Sequence, residues 1–95
     1  MTMSGGDPDP ADAVARALDA LPWGTFRGRS LGHEWIVSRT RFNGGASEKV
    51  VARALGAEGY VSTNLYRLAR GPALRPCEMP ADDVVRFVLD LVPCR

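Results

Sequence analysis

NGGASEKVVARALG, residues 43–56, admits two readings, and the fold follows from the choice between them. Asn43-Gly44 is a hairpin signal when strands flank it, because both residues accept the left-handed backbone that a tight two-residue turn requires. Against that, Val50, Val51, Ala54 and Leu55 fall on one helical stripe. Ser47 is a good N-cap and Gly56 a good residue just past a helix end. The Ala, Glu, Lys, Arg and Leu content adds helix propensity. These signals predict a helix over about 47–55, with a strand and a β-meander as the alternative.

Upstream, TFRGRSLGHEWIVSRTRF (25–42) reads as a hairpin turning at Leu31-Gly32. Pairing residues whose numbers sum to 63 sets Phe26 against Val37, Gly28 against Trp35, Arg27 against Ile36 and Arg29 against Glu34. One face then holds Phe26, Val37 and Trp35, with the indole over a glycine that offers no side chain. The other face holds Thr25, Arg27, Arg29, Glu34 and Ser38, with one cross-strand ion pair. A one-residue slip would mix the two sets.

Downstream, EGYVSTNLYRLARGPALRPC (58–77) reads as strand, turn, strand. Pro76 cannot donate to a ladder, so the strand over 73–77 is expected to be short and at an edge. Helical patterns close both ends. ADAVARALDALP carries Val14, Ala17, Leu18 and Leu21 on one stripe, with Asp9 or Asp12 favourable near its start. PADDVVRFVLDLVP buries Val84, Val88, Leu91 and Val92, with Phe87 beside them, behind Pro80 and an acidic first turn. The expected class is α+β: a small antiparallel sheet of about four strands packed against helices, in the order α-β-β-α-β-β-α.

Ninety-five residues suffice for one domain, read here as residues 11–95 behind a disordered acidic leader over 1–10. A hydrophobic fraction of 45% and a charged fraction of 24% are those of a soluble globular chain. No apolar run approaches the ~20 residues a spanning helix needs. The first residues lack the basic and apolar regions of an export signal, which makes the cytoplasm the expected compartment and thiols the expected state of both cysteines. A helix over 80–92 would hold its ends ~18 Å apart. Cys77 and Cys94 flank those ends, well beyond the ~7 Å a disulfide spans. Charge is uneven along the chain. Residues 27–75 hold eight arginines and Lys49 against three glutamates, whereas both flanks are acidic.

Three features carry candidate chemistry. Cys77, between Pro76 and a helix start, would feel the positive end of the helix dipole, which favours the thiolate nucleophile. The sole histidine, His33, is placed at a hairpin turn, so no base is seen to complete a thiol site. Gly44, Gly45, Ser47 and Lys49 resemble an anion-cradling turn ahead of a helix, without either full phosphate-loop pattern. Finally, Arg27 and Arg29 on the hairpin's polar face, Arg39 and Arg41 at its rim, and Arg75 in the second hairpin form a basic surface. Together with exposed tyrosine, this suits an acidic partner or single-stranded nucleic acid. No Cys/His cluster has metal spacing, and no cofactor is implied. The balance favours a non-enzymatic binding module. The alternatives are a thiol enzyme acting through Cys77 and a homo-oligomer built on the 73–77 edge.

The segments NGGASEKVVARALG (43–56), YVSTNLYRL (60–68) and LRPCEMPADDVVRFVL (74–89) resemble a family of short bacterial proteins with no established activity. The resemblance runs from about residue 24 to residue 91, and Pro76-Cys77-Glu78-Met79-Pro80 is its most distinctive element. Some members carry a methionine sulfoxide reductase label, yet this chain has neither a Gly-Cys-Phe-Trp motif nor paired CxxC motifs. The resemblance therefore implies a shared fold and no particular chemistry.

Overall fold

The computed structural model describes residues 9–94. The elements are α1 (Pro10–Asp19), β1 (Gly24–Ser30), β2 (His33–Phe42), β3 (Ser47–Leu55), β4 (Tyr60–Leu68), β5 (Gly71–Pro76), α2 (Ala81–Asp90) and β6 (Val92–Pro93). The strands form one antiparallel sheet in the order β5-β4-β3-β2-β1-β6. The class is α+β, as the patterning predicts. The leader reading falls, for residues 1–8, outside the described residues; Asp9 caps α1 through Oδ1, which accepts from the Ala11 amide at 2.9 Å.

Two expectations about the sheet are corrected. Residues 47–55 are not a helix but the strand β3, bonded to β2 on one side and β4 on the other. The sheet accordingly has six strands rather than about four, and the order is α-β-β-β-β-β-α-β. The hairpin signal at Asn43-Gly44 prevails over helix propensity: Asn43, Gly44 and Gly45 all take positive φ and reverse the chain. Strand preference reflects packing on a pleated surface more than intrinsic tendency, and a central position overrides a modest helical stripe. Glu48, Val50, Ala52 and Ala54 face the helices, while Ser47, Lys49, Val51, Arg53 and Leu55 face away. The period of two was masked because a glutamate occupies one of the covered positions.

The first hairpin has the register read from parity, with Phe26 opposite Val37, Gly28 opposite Trp35 and Arg29 opposite Glu34. Leu31 and Gly32 both adopt positive φ. Asp90 Oδ2 accepts the Leu31 amide at 2.7 Å, so α2 anchors a turn whose first residue is ill-suited to it. Trp35 points inward, its Nε1 donating to the Ser30 carbonyl at 2.8 Å and its ring edge-on to Phe87 at 4.7 Å. The glycine against the indole is Gly59, not Gly28: a Cβ on Gly59 would meet the ring at 3.0 Å, whereas one on Gly28 would strike Leu91 at 2.8 Å. The ion pair of this hairpin is also diagonal. Glu34 meets Arg27 at 2.6 Å rather than the directly opposite Arg29, since a long guanidinium side chain reaches the diagonal neighbour.

One face of the sheet carries the core. Trp35, Val37, Val50, Ala52, Val61 and Leu65 pack against Val14, Ala15, Leu18 and Leu21 from α1 and its exit, and against Val84, Phe87, Val88 and Leu91 from α2. Val92, expected on the buried stripe, is instead exposed because the helix ends at Asp90 and the chain turns into β6. Ser30 Oγ donates to the Phe87 carbonyl at 2.7 Å and ties β1 to α2. Among the described residues no helix is long and apolar enough to cross a membrane.

Prolines blunt both edges of the sheet. Hydrogen bonding alternates along an antiparallel pair. The Cys77 amide donates to the Ser62 carbonyl at 2.9 Å, so the odd residues of β5 bond β4. Pro72, Leu74 and Pro76 therefore present their nitrogens to the open edge, and only Leu74 has an N–H there. At the far edge the Cys94 amide donates to the Arg27 carbonyl at 2.8 Å, which turns Pro93 outward in the same way. A homo-oligomer growing from β5 would have one donor to add to, which is how natural sheets avoid unwanted pairing. Replacing Pro72 and Pro76 together by alanine restores two edge donors. Light scattering across a concentration series is expected to show a rise in mass for that variant beyond the unsubstituted protein; identical curves would refute the role given to the prolines.

Candidate anion-binding face of the sheet

Because the core residues alternate in step along the paired strands, odd on β2 and β4 and even on β3, the alternate residues form an outer face that neither helix covers. Strand register arranges this face in rows. Arg27, Ile36, Arg53 and Tyr60 stand side by side on β1 to β4. The next row holds Thr25, Ser38, Val51 and Ser62. Beyond it lie Thr40, Lys49, Asn64 and Arg75 on β2 to β5, then Phe42, Ser47, Tyr66 and Ala73. Arg29 and Glu34 flank the first row. Among its strand residues the face thus carries five cations (Arg27, Arg29, Lys49, Arg53 and Arg75) against the single carboxylate of Glu34, with exposed Glu78 at its border beside Tyr60 and Ser62. Tyr60 is 54% exposed and the Arg53 guanidinium stands 5.7 Å from its ring.

The helical layer has the opposite sign. Asp9, Asp12, Asp19, Asp82, Asp83 and Asp90 belong to the two helices and the α1 cap, against Arg16 and Arg86. The near-neutral whole chain is therefore two oppositely charged sides, a basic sheet face and an acidic helical one.

Of the residues singled out from the sequence, the sheet brings Arg27, Arg29, Lys49 and Arg75 together on the outer face. Arg53 joins them and was missed, since a helical reading of 47–55 scatters its side chains; Tyr60 supplies the exposed tyrosine expected beside the cations. The strand alternative would have put Arg53 on the same face as Lys49. Gly44 and Gly45 form the β2–β3 turn, and Ser47 is a buried strand residue whose Oγ lies 3.4 Å from Asn43 Nδ2. With no helix following them, the helix-dipole rationale for an anion cradle at this turn is lost.

Arg39 and Arg41 lie on the helix-facing side. Arg39, expected at a solvated rim, is only 2% exposed, as is Glu48. Its Nε donates to Glu48 Oε2 at 2.6 Å, its Nη2 to Oε1 at 3.2 Å, and its Nη1 to the Leu21 carbonyl at 2.8 Å. Arg67 Nη2 bridges Glu48 Oε1 at 3.0 Å and Asp19 Oδ1 at 2.9 Å. Trp23 covers the group, with the Arg39 and Arg41 guanidinium carbons 3.7 and 4.8 Å from its ring centre. The network is a clasp that ties α1 and its exit to β2, β3 and β4. It does not belong to the basic face.

Cys77 continues β5 and is separated from α2 by Glu78, Met79 and Pro80, with Glu78 at φ 57 turning the chain. Strand pairing with Ser62 holds its backbone, and Asn64 Nδ2 is 3.9 Å from Sγ. The Met79 sulfur accepts the Ser62 amide at 3.5 Å, closing the edge that β5 leaves open. Cys77 is half-buried in a depression of about 310 Å³ lined by Tyr60, Ser62, Glu78 and Met79; His33 is remote from it, beside the β1–β2 turn. Both cysteines are free thiols. Among the described residues no three His, Cys, Asp or Glu side chains form a group able to hold a metal ion. No family model, curated protein or solved structure matches the chain.

Removing one member of a buried ion pair leaves the other charge uncompensated, at a cost of about 3–5 kcal/mol. Glu48→Ala is expected to lower unfolding free energy by about that amount in urea titration. The double variant Arg39→Met/Glu48→Leu should recover part of the loss, and a double variant no more stable than Glu48→Ala would contradict this account of the clasp.

Proposed function

We propose that the protein is a non-enzymatic binding module whose outer sheet face captures a polyanion. The observation that carries this reading is the separation of charge: five cations and one carboxylate among the strand residues of a sheet face without a helix, Glu78 standing at its border, and six aspartates with two arginines on the opposite layer. Interior requirements do not explain the cations, because the core and the clasp use neither Arg27, Arg29, Lys49, Arg53 nor Arg75. Only Arg27 has a carboxylate partner on the face, and that pair is solvent-exposed and so of little energetic weight. Aligned on the strands, the cations form a field that a flexible chain of anions can follow.

Inorganic polyphosphate is the simplest probe. Its binding is expected to be tight at low salt and to fall linearly in log–log form as salt rises, because neutralised phosphates release counterions. Taking the single-strand value for a flexible polyanion, Lys49→Ala and Arg53→Ala should each reduce the slope by about 0.7. Folding should be little affected, since both side chains are exposed. Absence of binding at low salt, or slopes unchanged in both variants, would refute the reading.

A further inference from the structure

Resting on the polyanion-binding face just described, we infer that its partner is a single-stranded nucleic acid. Cations alone would serve any polyanion; the arrangement of aromatic side chains among them is what distinguishes this face. β4 carries Tyr60 and Tyr66 on the outer side, six residues apart and therefore about 20 Å from one another along the strand. Each is placed with cations. Tyr60 stands next to Arg53, and Tyr66 is the diagonal neighbour of both Lys49 and Arg75. At either end of β4, a nucleotide can lay its base on a tyrosine ring while its phosphate reaches a lysine or arginine. Between the two ends run the half-buried side chains of Val51, Ser38 and Asn64, with Ser62 buried beside them, which leave the path low and offer the Asn64 amide to a base edge.

This pattern matches how a sheet takes single strands, with aromatic rings as stacking platforms beside a basic track. A duplex keeps its bases stacked inside and presents phosphate only, so it would have no use for the tyrosines. An acidic polypeptide would likewise engage the cations and leave the rings unused. Phe42, 39% exposed at the far end of β2 in the same row as Tyr66, extends the aromatic end of the path.

The test compares a fluorescent oligothymidylate, duplex DNA, inorganic polyphosphate and polyglutamate on the 95-residue chain at one low salt concentration. The oligothymidylate is expected to bind most tightly. Stacking on one aromatic side chain is worth a factor of roughly five to a hundred, so Tyr60→Ala and Tyr66→Ala should each weaken the oligothymidylate by that factor while polyphosphate stays within about two-fold. Tyr60 is largely exposed, so its variant keeps the test valid should Tyr66→Ala fold poorly. If polyphosphate or polyglutamate binds as well as the oligothymidylate, or duplex binds better, or the tyrosine variants lose nothing, the nucleic-acid inference is overturned and polyanion binding stands. Failure of all four probes to bind overturns both.

Discussion

A strand bonded on both sides has no latitude in which face each side chain takes, and β3 is in that position. Its ladder to β2 and its ladder to β4 set the same alternation, so Val50 and Ala52 enter the core while Lys49 and Arg53 enter solvent. A shift of one residue would put a lysine and an arginine beneath the helices. The sheet's single covered face, the outward cations and the position of the clasp all descend from this register.

The clasp shows what the register costs. Glu48 is forced onto the covered face, and a carboxylate taken out of water is penalised by several kcal/mol unless it is paired and hydrogen-bonded. Arg39 supplies two bonds and Arg67 a third, while the third nitrogen of Arg39 donates to the Leu21 carbonyl. Every buried side-chain nitrogen and oxygen among the described residues is bonded. A network of this kind adds little net stability over an apolar equivalent. Its geometric effect is larger: it holds the exit of α1 at one end of the sheet, as the Asp90–Leu31 and Ser30–Phe87 contacts hold α2 at the other.

With both helices secured on one side, the outer face remains open, and the division of charge between the two sides becomes the main property of the surface. The same topology that opens the face also limits how the molecule meets copies of itself. Pro72, Pro76 and Pro93 occupy outward positions on the two edge strands, so the broad face is accessible while the edges are poor templates. A sheet that offers its face but not its edge is suited to a partner that lies across it and not to one that extends it.

Much of this architecture is written locally. The first hairpin's register follows from residues 25–42 because alternation separates Phe26, Trp35 and Val37 from Arg27, Arg29 and Glu34, and a slip would bury charge. Both terminal helices follow from an apolar stripe bounded by proline or aspartate, and the edge place of β5 follows from Pro76. The strand β3 does not, because the signal that distinguishes it is the partner of Glu48, nine residues away in sequence and on another strand. Arg39 reads as a surface cation for the same reason, and Arg53 is lost to the outer basic face with the strand that carries it. The sequence by itself determined the elements whose stability is set by near neighbours. Tertiary structure decided the central strand and which arginines reach water, because both depend on long-range pairing that neutralises a buried charge.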